Sequence, residues 1–506
     1  MIARARAAAA LAAALLLAAC NGGGSGSGIA NVPPPGNPGA VAPAQKLSIA
    51  GVGDSLTAGT QSSGTMGADL PVVGSDPQLG QIGPVQRTQE HGFFALLWQQ
   101  ANGVDITTLS NPAVSPLPLL KPPGVGGLLA PTSTHIFPAP VSNVCDASQI
   151  PANQFNTALS LRLNPALNPW DVAIPGQTVH EALFMTGALG DCTVNGANAQ
   201  SQFVLLNSVV NGESQNFWPI LAGFGQGVTQ VQAAKSLHAQ VATVWLGSND
   251  LLKLAFSHLG VPATSPQAMH DDIKSIIVQL QGSGSKVAVA NLVDVMGAAT
   301  FIPQPAYQQT LQGYITGLLI AKGANPVQAQ AAAVLYSPAY AAQETAQLGL
   351  GPNGYFTINA LFKTLQTAAA QIPASAPPVA PTLNSGDFID GTTADTVKSL
   401  NTQYNASIAA AASETNAALV DVNATFKAIA TAGGTNTNPP KCCTLLYRGG
   451  LTSLDGLHPS NTGYAIIANV WIQSLNAAYN LGIPAVSVGA VYATDPYAPG
   501  NGVSGF

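Results

Sequence analysis

A three-layer α/β/α sandwich around a mainly parallel five-stranded sheet is predicted from three features of the 506-residue sequence. Short apolar runs bounded by Gly, Asn or Asp recur along the chain, segments with helical spacing lie between them, and the runs end in loops of small polar residues. Such runs read as strands buried on both faces, and strands alternating with helices give a parallel sheet covered on both sides. Loops at the carboxyl ends of such strands are where function is expected.

The five strand candidates are "LSIAGVG" (47–53), "DVAIPG" (171–176), "VATVWLG" (241–247), "KVAVANLVDV" (286–295) and "AALVDVNA" (417–424). Helical spacing marks "EHGFFALLWQQAN", "PQAMHDDIKSIIVQLQGSG", "ADTVKSLNTQYNASIAAAASETNA" and "SNTGYAIIANVWIQSLNAAYN". Residues 60–90 and 110–170, rich in Pro, Gly, Asn and Ser, read as long loop insertions. The Ala- and Gln-rich region 303–375 reads as a helical insert, serving either as extra core packing or as a cap over the fold.

At the amino end, Arg4 and Arg6 precede an uncharged apolar run that stops at Cys20. The run is too short to span a bilayer and reads as a secretory signal peptide, and "LAAC" at 17–20 resembles the bacterial lipobox. That resemblance implies cleavage before Cys20 and its lipidation, hence a cell-envelope protein tethered to a membrane; Asn21 in place of Asp after the cysteine favours, by analogy with some Gram-negative sorting rules, the outer membrane or cell surface over the inner one. Residues 21–46 form a Gly/Ser/Pro-rich spacer, 47–483 one elaborated domain, and 484–506 a carboxyl-terminal tail. Only 8% of residues are charged and the net charge is −6, so no basic patch is available for nucleic acid. In an exported chain Cys145, Cys192, Cys442 and Cys443 suggest two disulfides, with three pairings open. A zinc site would need a second paired-ligand motif such as CxxC or HExxH, which the chain lacks, and no metal is expected.

Four segments at strand ends or loops carry reactive side chains. In "GVGDSLTAGT" (51–60), Ser55 follows an apolar strand inside a turn-forming stretch. Near the carboxyl end, "DGLHPS" sets Asp455 three residues before His458, in a loop that Pro459 separates from the next helix. Ser460 or Asn461 is expected to cap that helix. "GSND" places Asn249 where a strand meets a loop, and "PGQT" exposes the backbone N–H of Gly176. A serine hydroxyl is a weak nucleophile, so it needs a base, a group orienting that base, and donors for the developing oxyanion. Ser55, His458, Asp455 and the Ser55, Gly176 and Asn249 donors form such a set. His91 and His180 read as structural, and Asp54 as shaping the turn around the serine.

These four blocks resemble, in content and order, those of GDSL-type esterases and lipases of the SGNH hydrolase superfamily. "GDSLTAG" resembles the nucleophile block, "PGQT" the oxyanion-glycine block, "GSND" the oxyanion-asparagine block and "DGLHPS" the Asp-x-x-His block. The resemblance implies a flavodoxin-like fold and cofactor-free hydrolysis of carboxylic esters through an acyl-enzyme at Ser55. The expected substrate is a small acyl ester or a lipid. A carbohydrate O-deacetylase of the same fold, or a surface lipoprotein that only binds, are the competing readings. An α/β-hydrolase is disfavoured because the chain contains no G-x-S-x-G.

Overall fold

The computed structural model describes residues 46–501 apart from 63–64, 66, 68–74, 77–79, 82–86, 121–161, 186–219, 225–227, 373–377, 436–442, 447–448 and 500. The signal segment, the spacer up to residue 45, and Cys20, Cys145, Cys192 and Cys442 therefore lie outside the described residues. Cys443 is buried and disulfide-bonded.

Strands β1 (Ile49–Gly53), β2 (Val241–Trp245), β3 (Lys286–Ala290) and β4 (Ala418–Val420) form a parallel sheet in that spatial order. Ile49 lies opposite Val241, Val241 opposite Lys286, and Ala288 opposite Ala418. Every residue of β1 and β2 is buried, as expected for apolar runs without polar alternation.

The run at 171–176, expected as a fifth strand, meets β1 at one parallel bridge, Gly51 to Asp171. Gly51 N–H donates to Trp170 O (2.8 Å), while Val172 and Ile174 N–H donate to Gly51 O and Gly53 O (3.0 Å each). Regular pairing goes no further for a local reason. The chain turns away at Ile174–Gln177, where Gln177 N–H donates to Ile174 O (3.2 Å); on the side away from β1, Asp171 Oδ1 takes the Ala173 N–H (3.0 Å) and Pro175 has no N–H to offer.

Helices fall into groups set by their apolar stripes. α1 (Phe93–Asn102) buries Phe93, Phe94, Leu96 and Leu97. α2 (Val179–Phe184), α3 (Ser248–Phe256) and α4 (Pro266–Gly282) follow, the last opened by Pro266 in its first turn and by Ser265, whose hydroxyl accepts the Ala268 N–H.

The insert has a hydrophobic core of its own. α5 (Gln304–Ala321) and α6 (Pro326–Leu348) pack as a hairpin, with α7 (Ile358–Gln371) against α5. Tyr307 stacks on Phe356 (centroids 3.8 Å apart) among Leu311, Ile315, Ala333, Tyr340 and Leu361. Three short antiparallel strands, Phe301–Pro303, Tyr355–Thr357 and Phe388–Ile389, form its base. They are too short for a periodic signal in sequence.

Beyond the insert come α8 (Gly391–Glu414), α9 (Asn461–Tyr479) and α10 (Val488–Thr494). α8 packs on α4, and α9 packs on α1 and α10. Phe93 stacks on Trp471 of α9 (5.3 Å) and meets Trp245 edge-on (5.4 Å), binding α1, α9 and β2 into one cluster. Aromatic pairs of this kind add about 0.5–1.5 kcal/mol each beyond the area they bury. Among the described residues no helix is long and apolar enough to cross a membrane.

Candidate active site

The chain leaves β1 through a turn that the strand's last residue makes possible. A Cβ on Gly53 would lie 2.0 Å from Thr57 Oγ1, so only glycine fits there. Asp54 O then accepts the N–H groups of Thr57 (3.1 Å) and Ala58 (3.0 Å), and Ser55 O accepts Thr60 N–H (3.0 Å). Ser55 is buried to 7% exposure at this turn. Among the described residues neither its side chain nor its N–H is hydrogen-bonded.

Asp455 and His458 form the tightest polar pair of the loop before α9. His458 Nδ1 lies 2.6 Å from Asp455 Oδ2, with both side chains buried. The other carboxylate oxygen accepts the N–H groups of Leu457 (2.9 Å) and His458 (2.8 Å) and the Ser453 hydroxyl (3.2 Å). Burial by itself would push the Asp455 carboxyl up. The charge of His458 and these hydrogen bonds outweigh it and hold the group below the ordinary carboxylate value. α9 begins past Pro459 with Ser460 as its cap, the hydroxyl accepting Gly463 N–H (3.1 Å).

Ser55 and His458 are not hydrogen-bonded to each other; the segments that carry them are stitched together. Tyr464 OH donates to Thr60 O (2.8 Å), Gln61 Nε2 to Asn461 Oδ1 (2.7 Å), and Ser62 N–H to Ser453 Oγ (2.8 Å). His458 is near enough for its charge to act on Asp54, the neighbour of Ser55. Catalytic hydrogen bonds are often long in unliganded enzymes and tighten only around substrate.

Gly176 occupies the third position of a turn, Ile174 to Gln177, closed by Gln177 N–H to Ile174 O (3.2 Å). Its φ of +86° follows Pro175, the pattern of a type II turn. Among the described residues the Gly176 N–H is not hydrogen-bonded. Asn249 sits in the first turn of α3, where its Nδ2 donates to Asp54 Oδ2 (3.1 Å) and Gln177 O (3.0 Å). One amide thus joins the Ser55 turn to the Gly176 turn.

Two carboxyls brace this corner: Asp54, read from the sequence only as shaping the turn, and Asp250, which the sequence reading missed. Burial pushes Asp54 up to about 7, against the Leu56 N–H bond (2.9 Å) and the His458 charge that pull it down. Its role exceeds shaping the turn, since it also holds Asn249. Asp250 is likewise pushed up to about 6 by burial, against hydrogen bonds from Thr264 Oγ1 (2.6 Å) and Val179 N–H (3.1 Å). With Lys253–Glu181 (2.6 Å) it fastens α3 to α2. The only available sequence signal was the position of Asp250 beside Asn249. His180 lies apart, exposed and paired with Asp272 (3.0 Å).

No curated protein matches the sequence. The pattern described as GDSL-like lipase/acylhydrolase matches residues 49–471, from the first residue of β1 to Trp471 of α9, and so spans all the segments just described. On that match, the chain belongs to the GDSL-like lipase/acylhydrolase family.

Proposed function

We propose that this protein is a serine esterase acting on acyl esters through a covalent acyl-enzyme at Ser55. The family implies an ester hydrolase, and the observation that most supports these residues is the buried 2.6 Å Asp455–His458 pair on a loop stitched to the Ser55 turn. Ser55 Oγ attacks the ester carbonyl carbon while His458 Nε2 takes its proton. Asp455 keeps the ring's Nδ1 side hydrogen-bonded, which fixes its orientation and stabilises the imidazolium. The oxyanion is received by the Ser55 and Gly176 N–H groups and by the Asn249 amide, one of whose present acceptors must be shared with it. Collapse breaks the carbon–oxygen bond to the alcohol, which leaves with the His458 proton. Water then attacks the acyl carbon, gives a proton to His458, and the acid departs with Ser55 restored.

A cavity of about 580 Å³ lies beside the site, lined by neighbours of Ser55 and His458 and not by those two residues themselves. Its wall includes Leu56, Leu457 and Pro459, sequence neighbours of Ser55 and His458, together with Trp245, Leu451 and Ile467. Asp294, Lys398, Asn401, Asn405, Asn423 and Lys427 share that wall, and a space of this size with mixed apolar and polar lining suits a small amphiphile. The decisive experiment is hydrolysis of nitrophenyl esters from acetyl to palmitoyl by protein lacking residues 1–20, alongside fluorophosphonate labelling. Turnover and labelling that both vanish in Ser55→Ala are expected; a wild-type chain that does neither would overturn the assignment. Activity confined to acetyl esters would point to the deacetylase reading. We further propose lipid attachment at Cys20, checked by incorporation of labelled palmitate that Cys20→Ala abolishes.

A further inference from the structure

Asp455 is held from a direction that the catalytic motifs do not include. The single proton of Ser453 Oγ is shared between Asp455 Oδ1 (3.2 Å) and His458 O (3.1 Å), and the same oxygen accepts the Ser62 N–H (2.8 Å). Ser62 in turn donates its hydroxyl to Tyr497 OH (3.0 Å) and accepts the Leu454 N–H (3.3 Å). Tyr497 is fixed by its own N–H on Asp495 Oδ1 (2.9 Å). Asp495 Oδ2 closes the ring on the first turn of α9, accepting Thr462 N–H (2.7 Å) and Thr462 Oγ1 (2.6 Å). All of these side chains are buried.

Ser62 adopts φ = +50°, a left-handed conformation that costs a non-glycine residue on the order of 1 kcal/mol. Glycine would avoid that cost but would lose the hydroxyl that joins Leu454 to Tyr497. Asp495 and Tyr497 lie beyond residue 471, the end of the family match, so this support comes from the segment after α9. Burial in low dielectric strengthens such a chain of hydrogen bonds and makes each missing partner costly.

We propose that Ser453, Ser62 and Tyr497 are positioning residues through which the carboxyl-terminal segment holds the Asp455–His458 pair in its reactive geometry. This rests on the assignment of that pair to ester hydrolysis. None of the three touches substrate; each acts on the reaction through Asp455. A carboxylate that swings by a fraction of an ångström misorients the imidazole and slows proton transfer without altering how substrate is held.

The test compares two tyrosines on one segment in the full-length chain. Tyr497→Phe removes the hydroxyl facing Ser62, whereas Tyr492→Phe removes one that donates to Pro499 O (3.2 Å), away from the pair. Tyr497→Phe, Ser62→Gly and Ser453→Ala should each lower kcat roughly three- to tenfold, as expected for loss of one hydrogen bond, with KM within about twofold. The fluorophosphonate labelling rate, which reports Ser55 activation without a bound ester, should fall in step, and Ser453→Thr should recover most of the loss. Tyr492→Phe should leave kcat unchanged. If Tyr497→Phe and Ser62→Gly retain wild-type kcat, or if Tyr492→Phe lowers it as much as Tyr497→Phe does, the proposal is overturned while the ester-hydrolase assignment stands. Wild-type protein inert to both esters and fluorophosphonate would instead remove the assignment itself.

Discussion

Asp54, at the end of β1, and Glu344, inside α6 of the insert, are both carboxyls that burial pushes up to about 7. Asp54 is met on one oxygen by Leu56 N–H and on the other by the Asn249 amide. Glu344 receives the Thr364 hydroxyl on Oε1, while among the described residues Oε2 has no hydrogen-bond partner. The same desolvation therefore has two uses. At the sheet it buys orientation, because a carboxyl with both oxygens engaged fixes the groups around it. In the insert it is a cost carried by a separate hydrophobic core, with Tyr307 and Thr364 as its polar company.

That contrast can be broken from its strongest side first. Ser55→Ala should abolish ester turnover, a loss of at least about a thousandfold, measured by burst and steady-state release of nitrophenol. Asn249→Ala, which removes both the proposed oxyanion amide and the donor on Asp54, should lower kcat roughly 10²–10³-fold. Asp54→Asn keeps an acceptor for Leu56 N–H but sets an amide donor against the Asn249 donor. It should lower kcat about tenfold with little change in fold, checked by circular dichroism. Glu344→Gln should leave kcat unaltered and affect stability alone.

The pH dependence of that last effect has a defined sign. With its folded value raised from 4.5 to about 7, Glu344 binds a proton in the folded chain that the unfolded chain has already released. Its stabilising contribution is complete below about pH 4.5 and is lost as pH rises through 7. Glu344→Gln should therefore raise stability at pH 8 by roughly 1–3 kcal/mol and do little at pH 4, read from denaturant midpoints. Asp455, held below the ordinary carboxylate value, acts in the opposite sense, its contribution being lost as pH falls through that depressed value.

Residues that report a local constraint were legible in the sequence. Pro459 predicted where α9 starts, and Ser460 was one of the two caps expected. The apolar runs at 47–53, 241–247 and 286–295 became β1 to β3, buried on both faces as runs without polar alternation require, while 417–424 became β4, an edge strand whose Leu419 is exposed. The run at 171–176 shares that apolar character and hydrogen-bonds β1 at three points, but the turn at Ile174–Gln177 ends it after a single ladder bridge. The strands of the insert, two or three residues long, have no period to detect. At the candidate site, Ser55, Asp455, His458, Asn249 and Gly176 could be singled out by motif. Ser62, Ser453 and Tyr497 could not, because three common hydroxyl residues acquire a joint role only when positions 62, 453 and 497 meet in space.

The broken fifth run bears on how this molecule behaves among its own copies. A strand at the edge of a sheet offers unpaired N–H and C=O groups to any passing chain, and long flat edges invite aggregation. Here one edge is flanked by the 170–174 segment, whose outward Ala173 N–H is already taken by Asp171 and which Pro175 follows, and the other is β4, three residues long. An incoming strand finds few successive backbone groups in register at either side. A chain with so little charge has weak electrostatic repulsion to keep copies apart, so irregular and short sheet edges are a defence against self-association that its composition does not supply.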